Sequence, residues 1–389
     1  MHSGKFVFSQ ILARVPHWDF QRLARRHGAD SARLDFTAWE HFAAMMFAQL
    51  TYRESLRDIE ACLGSQPSAG YHLGFRRPVR RSTLAHANER RDWRLYAELA
   101  QRLMVRARRL YADEPTGLEM DGDVYALDAT MIDLSLAVYP WANWNRTDAA
   151  LKMHTMLDLR GPLPSLVSIT AGGQNEMAWL DEIPLEAGSF YLMDRGFLDL
   201  KRLRRFTREG AFFITLERDD ISFYVASSRP ADRQTSIRAD QIIRFNGRDS
   251  RRAWPDAMRR ISLFDPEARS RVIFWTNHWM LPPATIAELY RNRWRIEIYF
   301  RWIKQNLRIR HFYGTSDNAV RIQLWIAIST YLAVAIARKQ LRVTHSLTTV
   351  LQIISVNAFQ KIPLAELLAA DSSTTPTSHS ANQLSFSSF

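Results

Sequence analysis

From about residue 121 the chain changes from helical text to short strand-like runs. Their order is strand, strand, strand, helix, strand, helix, strand, and few folds accommodate it. "DVYALDATMIDL" alternates, with Val124, Ala126, Asp128 and Thr130 on one face. "KMHTMLDL" and "PSLVSITAG" follow as two more strands, joined by the turn-forming "RGPLP". "EMAWLDEIPL" predicts a short helix and "SFYLMDRGF" a compact strand ending in Asp194. "DLKRLRRFTREG" predicts a helix closed by Gly210, and "AFFITLE" a fifth strand.

Two acids stand on these apolar strands. A carboxylate in or ending a buried strand is costly unless it is paired or bound to a cation. For Asp194, before Arg195-Gly196, capping of the next turn is a competing explanation. It is weaker for Asp128, where the apolar run continues on both sides.

A third acid stands in "YRNRWRIEIYFRWIK", residues 290–304. On one continuous helix, Tyr290, Arg293, Glu297 and Lys304 fall within an arc of about 60°, with Arg301 and Arg308 on the same stripe. Trp294 and Ile298 flank the stripe on one side; Ile296, Phe300, Ile303 and Leu307 flank it on the other. A narrow polar band between apolar walls predicts a helix packed on both sides, its band facing a cleft. An i,i+4 pair of Glu297 with Arg293 or Arg301 uses one or two cations; a phosphate backbone along the stripe accounts for the rest. Acids from two strands and one helix are also what a two-metal phosphoryl-transfer site requires, with hard oxygen ligands for Mg²⁺.

A formal net charge of +12 over 389 residues points to a polyanionic partner, nucleic acid first. A single cysteine, Cys62, excludes an intrachain disulfide and a Cys-based zinc site, which fits a reducing compartment. "MHSGKFVFSQILARVPHWDF" lacks a signal-peptide pattern, and "LWIAISTYLAVAIA" (324–337) is short for a membrane span, so a buried helix, no membrane contact and a cytoplasmic location are expected.

Ahead of the strands, residues 1–115 read as all-helical. The basic loop "GFRRPVRRS" carries Arg76, Arg77, Arg80 and Arg81 and precedes one long helix with Ser82 as N-cap. Together they resemble a helix-turn-helix arrangement for DNA, which a charged face on an ordinary bundle explains equally well.

Tyr290-x2-Arg293-x3-Glu297-x6-Lys304 resembles the Tyr-Arg-Glu-Lys signature of bacterial insertion-sequence DDE transposases. "LDAT" at Asp128 and "YLMDRGF" at Asp194 resemble the blocks bearing that family's two aspartates. "KMHTMLDL", "FWTN", "HFYGTSDNAVRIQLWIAI" and the helical "FTAWEHFAAMMFAQLTYRESLRDIEACL" are also similar to family text, so the likeness reaches to about residue 340. One departure is "GGQNEMAWL", where Gln174 and Asn175 stand in place of the family's His and leave the role of Glu176 open.

The resemblance implies an α/β ribonuclease H-like core, a mixed five-stranded sheet flanked by helices, with a mostly β insertion and an all-α N-terminal domain. The expected division is 1–115 for DNA binding, 116–218 with 285–345 for catalysis, 219–284 for the insertion, 346–370 as a C-terminal helical segment and 371–389 as a disordered tail. It further implies Asp128, Asp194 and Glu297 as catalytic ligands of two Mg²⁺ ions, with Mn²⁺ as a substitute. Tyr290, Arg293, Arg301, Lys304 and Arg308 would hold phosphates, and Trp294 would stack on a base during hairpin formation, with Trp275 and Trp279 as competitors. The implied activity is cleavage and joining of an element's inverted-repeat ends to target DNA by a homodimer at the bacterial nucleoid. A nuclease that never joins strands and a DNA-binding relative without catalysis are the alternatives. His154 reads as a structural histidine.

Overall fold

The computed structural model describes residues 4–30, 35–66, 70–114, 122–143, 149–161, 163–173, 176–230, 236–266, 269–307, 309 and 311–369. Arg308, Gln174, Asn175, the side chain of Glu176 and the expected disordered tail lie outside these residues.

The helical part holds α1 (Val7–Leu12), α2 (His17–Arg26), α3 (Ala38–Leu50), α4 (Leu56–Gly64), α5 (Arg81–Arg90) and α6 (Arg94–Leu110). Thr37 opens α3 with a capping box, its hydroxyl accepting from Glu40 N–H while Glu40 reaches back to the Thr37 amide. The single long helix expected after the basic loop is two. α5 ends at Arg90, and Arg80 rather than Ser82 occupies its N-cap position. Arg91 is extended (ψ 137°), which breaks the ladder before α6 restarts.

The strands are β1 (Val124–Leu134), β2 (Ala149–Asp158), β3 (Leu163–Ala171), β4 (Phe190–Met193) and β5 (Phe212–Leu216), with α7 (Glu176–Leu180) before β4 and α8 (Leu200–Arg208) after it. The following segment adds β6 (Phe223–Arg229), β7 (Ile237–Phe245), α9 (Arg248–Ala253), β8 (Met258–Asp265) and β9 (Ser270–Thr276). They form one sheet in the order β3-β2-β1-β4-β5-β9-β8-β7-β6. β1, β4 and β5 run parallel; the other pairings are antiparallel. The expected five-stranded sheet is therefore corrected to nine strands. β9 pairs with β5, satisfying an edge that would otherwise expose a row of unpaired amides and carbonyls, so the inserted strands continue the sheet.

α8 shows how sequence makes an element here. Asp199 caps it by accepting from Arg202 N–H at 3.0 Å, and Gly210 ends the segment at φ +72°. Leu200, Leu203 and Phe206 face the sheet, contributing roughly 1.5–3 kcal/mol each on full burial.

The sheet is covered on both faces, which is why its central strands read as unbroken apolar runs. Tyr125, Leu127, Tyr191, Met193 and Phe213 pack with α8 on one face. Val124, Ala126, Phe190, Leu192 and Ile214 join the larger core on the other. That core includes α10 (Pro283–Arg291), α11 (Trp294–Asn306), α12 (Asp317–Gln340), α13 (Leu347–Asn357) and α14 (Leu364–Ala369) as well as the N-terminal helices. α12, 24 residues long, extends well beyond the apolar run seen in sequence. It is long and apolar enough to cross a membrane, yet its middle is buried among α1, α3, α5, α6 and α13.

Candidate active site

Sheet register brings the two aspartates together. The β1–β4 pairing ends at Leu127↔Met193, so Asp128 and Asp194 are the next residues on neighbouring parallel strands, whose backbones lie about 4.8 Å apart. Alternation does the rest. Leu127 and Met193 point into the α8-side core, which turns Asp128 and Asp194 toward the face covered by α11. Carboxyl ends of parallel strands are where α/β sheets usually present their ligands. Asp194 also caps the turn after β4, accepting from Arg195 N–H at 2.6 Å, so its competing structural explanation is realised too.

The stretch 290–304 is two helices, not one. α10 ends at Arg291 and α11 begins at Trp294. Between them the amides tighten to i→i−3 bonds: Asn292 to Leu289 (3.0 Å), Arg293 to Tyr290 (3.0 Å) and Ile296 to Arg293 (3.0 Å). The single polar stripe is thereby divided. Tyr290 is fully buried against Phe274, with the Arg293 guanidinium 5.8 Å above its ring. Arg293 is 3% exposed and bridges two acids, with Nη1 3.3 Å from Asp128 Oδ2 and Nη2 2.8 Å from Glu297 Oε1. In this arrangement both residues lie behind the carboxylates, not on an open phosphate-facing surface.

Glu297, Arg301 and Lys304 remain at the opening. With Asp128, Ala129, Thr130, Phe300 and Gln305 they line a cleft of about 370 Å³. Glu297 sits in the first turn of α11, where the helix dipole favours a carboxylate. Arg295 fastens this end of the helix to the sheet through the Leu159 carbonyl at 2.7 Å. One apolar wall is present, from Ile296, Phe300, Ile303 and Leu307. The other is not: Ile298 is 48% exposed, so α11 is packed on one side and open on the other.

Burial pushes the Asp128 carboxyl up to about 6 against the pull of Arg293 and the Ala129 amide, with Glu297 and Asp194 adding to the rise. Glu297 is raised as well, again chiefly by burial. Burial opposes the charge on Arg293, but Tyr290, Asp128, Glu297 and Asp194 outweigh it and hold the guanidinium above its ordinary value. The donors are all hard carboxylate oxygens, and two of them already converge on one cationic group, which suits divalent cations. Among the described residues no three His, Cys, Asp or Glu side chains are grouped closely enough to hold an ion as they stand.

Trp294 is half-buried, with Arg301 stacked 5.8 Å over its ring. Trp275 is core, its indole donating to Glu217, and Trp279 is half-buried under Arg229. His154 is structural, bonded to Thr170 and stacked on Trp179. Arg76, Arg77, Arg80 and Arg81 are all exposed; Arg77 pairs with Asp35 and Arg80 with Glu60 in surface bridges worth little. Gln305 lines the cleft without a mark in the sequence, Phe300 was legible as part of the apolar wall, and Thr130 as the residue two beyond Asp128 on the same face.

An acid within β1 and another just past β4, beside a third acid on α11 at a basic cleft, define an α/β protein with a carboxylate-centred site. Residues 119–333 match the family described as Transposase DDE domain, and residues 3–76 match a domain of unknown function (DUF4372). The putative transposase y4zB of Sinorhizobium fredii is 31% identical over 67% of this chain and 72% of its own length. The probable transposase for insertion sequence element IS5377 of Geobacillus stearothermophilus is 28% identical over 53% of this chain and 54% of its own. The piggyBac transposase synaptic complex with hairpin DNA covers 94% of this chain and 80% of that one, at TM-score 0.43 and 10% identity, too loose a likeness to assign anything. The chain belongs to the DDE-domain transposases of the bacterial insertion-sequence kind.

Proposed function

We propose that this protein binds the inverted-repeat ends of an insertion sequence, cuts them and joins them to target DNA, as a member of the subgroup with the Tyr-Arg-Glu-Lys signature. The observation that carries this is the convergence of Asp128 and Glu297 on Arg293, beside Asp194, at the mouth of a cleft edged by Arg301 and Lys304. The order β3-β2-β1-β4-β5, with β1, β4 and β5 parallel, supports a ribonuclease H-like core beneath it.

Asp128, Asp194 and Glu297 would hold two Mg²⁺ ions, or Mn²⁺ in their place, which would activate the attacking oxygen and stabilise the leaving 3′-oxygen. Lys304 and Arg301 hold the scissile phosphate at the cleft mouth, where both are accessible. Arg293 positions two of the acids, and Tyr290 supports Arg293 from below. In the first step water displaces a 3′-oxygen from phosphorus; in the second that freed 3′-hydroxyl attacks a target phosphodiester, loses its proton and displaces the target's 3′-oxygen, which leaves as a 3′-hydroxyl. Trp294, next to the cleft, would hold a flipped base if cleavage proceeds through a hairpin. Action as a homodimer on paired ends, at the bacterial nucleoid, completes this reading.

Ala substitution at Asp128, Asp194 or Glu297 is expected to abolish Mg²⁺-dependent cutting of end DNA and leave end binding largely intact. Full cleavage by Glu297→Ala overturns the assignment. A target plasmid in the same reaction separates joining from simple nuclease action, since only a transposase yields joined product.

A further inference from the structure

α8 and α9 pack together on the sheet face opposite the carboxylates. α8 divides its cations by direction. Arg202 is tied to Asp181 and Asp199, and Arg205 to Glu209 and the carbonyls of Leu180, Asp181 and Ile183. Lys201, Arg204 and Arg208 follow another stripe, at i, i+3 and i+7. Arg204 reaches Asp256, in the loop after α9, at 3.9 Å, so this stripe runs on the α9 side. On α9, Arg248, Arg251 and Arg252 occupy i, i+3 and i+4 of a helix with no buried residue.

Lys201, Arg208, Arg248, Arg251 and Arg252 are exposed and form no ion pair among the described residues. Asp249 and Asp256 do not balance them. Like charges within a Debye length of about 8–10 Å repel, and a surface of one sign raises the local concentration of polyanions. Single strands need aromatic platforms for their bases, and neither helix exposes a ring: Phe206 and Trp254 are both buried. Duplex phosphates, presented in two regular rows, need only cations.

We propose that the α8–α9 face seats the backbone of a second DNA duplex, apart from the strand held in the cleft and without regard to its sequence. This rests on the transposase reading, since a protein that cuts one duplex and joins it to another has to hold both, and the stretch seated here lies away from the phosphodiester that enters the cleft.

The test is equilibrium binding of a fluorescent duplex of arbitrary sequence, without divalent metal, across a salt series. The full chain is compared with Arg208→Gln/Arg248→Gln/Arg251→Gln/Arg252→Gln. A control removes the same charge from exposed cations outside residues 1–115, away from the cleft and from this face, as Arg269→Gln/Arg271→Gln/Arg342→Gln/Lys361→Gln. Each phosphate neutralised by a bound cation contributes about 0.9 to the slope of log affinity against log salt. The slope of the first variant is therefore expected to fall by about 2–4, and that of the control by almost nothing. Lys at the four α8–α9 positions, which keeps the charges, is expected to restore the slope. Equal slopes in variant and control overturn the proposal. Cutting is measured separately: a reduced slope in a protein that never cuts DNA keeps this face and sinks the transposase reading, whereas normal cutting with an unaltered slope sinks the face alone.

Discussion

Among the buried arginines that meet acids in the described residues, Arg259 and Arg293 do so differently. In the inserted strands, Arg259 binds Asp240 through Nε (2.9 Å) and Nη2 (2.8 Å), and its Nη1 donates to the carbonyls of His278 and Leu281. One cation meets one acid, both are almost wholly buried, and the pair ties β7 and β8 to the segment entering α10. In the cleft, Arg293 serves Asp128 and Glu297 at once, and Asp194 adds a third negative charge nearby. The first arrangement is closed and neutral. The second leaves acids in excess of cations beside open space, which is how a site differs from a staple.

The sharpest way to break that comparison is to remove one acid from each. Glu297→Ala is expected to eliminate strand cutting while changing stability little, because Arg293 keeps Asp128 as a partner. Asp240→Ala strands the Arg259 charge in the core and is expected to cost about 3–5 kcal/mol in denaturant unfolding. Replacing both partners, Arg259→Met/Asp240→Leu, is expected to recover most of that loss. Similar stability losses for Glu297→Ala and Asp240→Ala would erase the distinction.

The open half of the comparison was the more legible in sequence. Asp128 and Asp194 stand out because period-two alternation puts each on an otherwise apolar strand, and a one-residue register error would have sent both to the α8 face. The break between α10 and α11 left no such mark. Asn292 (φ −67°, ψ −13°) and Arg293 (φ −55°, ψ −32°) stay right-handed, so apolar residues continue at helical spacing while only the hydrogen bonds shorten. Tyr290 therefore counted as part of the stripe although its ring lies in the core. The pairing of β9 with β5 was illegible for another reason: it joins segments far apart in the chain, and neither strand alone records its neighbour. Arg259 and Asp240 carry no local mark of their pairing, since they meet across two strands.

A milder contrast comes from a buried polar group held neutral. His41 has no exposure and lies between Tyr96 Oη (2.7 Å from Nδ1) and Asn88 Oδ1 (2.8 Å from Nε2). The neutral ring with hydrogen on Nε2 satisfies both. Burial, aided by the nearby Arg91 charge, pushes its pKa down from 6.5 to about 3. The unfolded chain then binds a proton that the folded one refuses between those values, so stability is full above about pH 6.5 and falls as pH is lowered toward 3. The loss is at most about 1.4 kcal/mol per pH unit. The slope is read from denaturant unfolding at several pH values, and His41→Gln is expected to lower it. An unaltered slope would mean that His41 is charged in the fold.

The smallest effect concerns an acid satisfied without any full cation bond. Glu40 is 2% exposed, yet its oxygens accept from the Thr37 amide (2.8 Å), the Thr37 hydroxyl (2.8 Å) and the Arg76 amide (2.8 Å), while the Arg76 guanidinium stays 4.0 Å away. Neutral donors thus do for Glu40 what Arg259 does for Asp240. The same bonds pin the start of the basic loop to α3. Thr37→Ala removes one donor to Glu40 and the side-chain cap of α3, and is expected to cost about 1 kcal/mol in thermal or denaturant unfolding. Thr37→Ser keeps both bonds and is expected to stay close to the parent. If Thr37→Ala instead cost as much as Asp240→Ala, neutral donors and a buried ion pair would carry equal weight here, and the contrast between closed and open acids would need a different basis than charge balance.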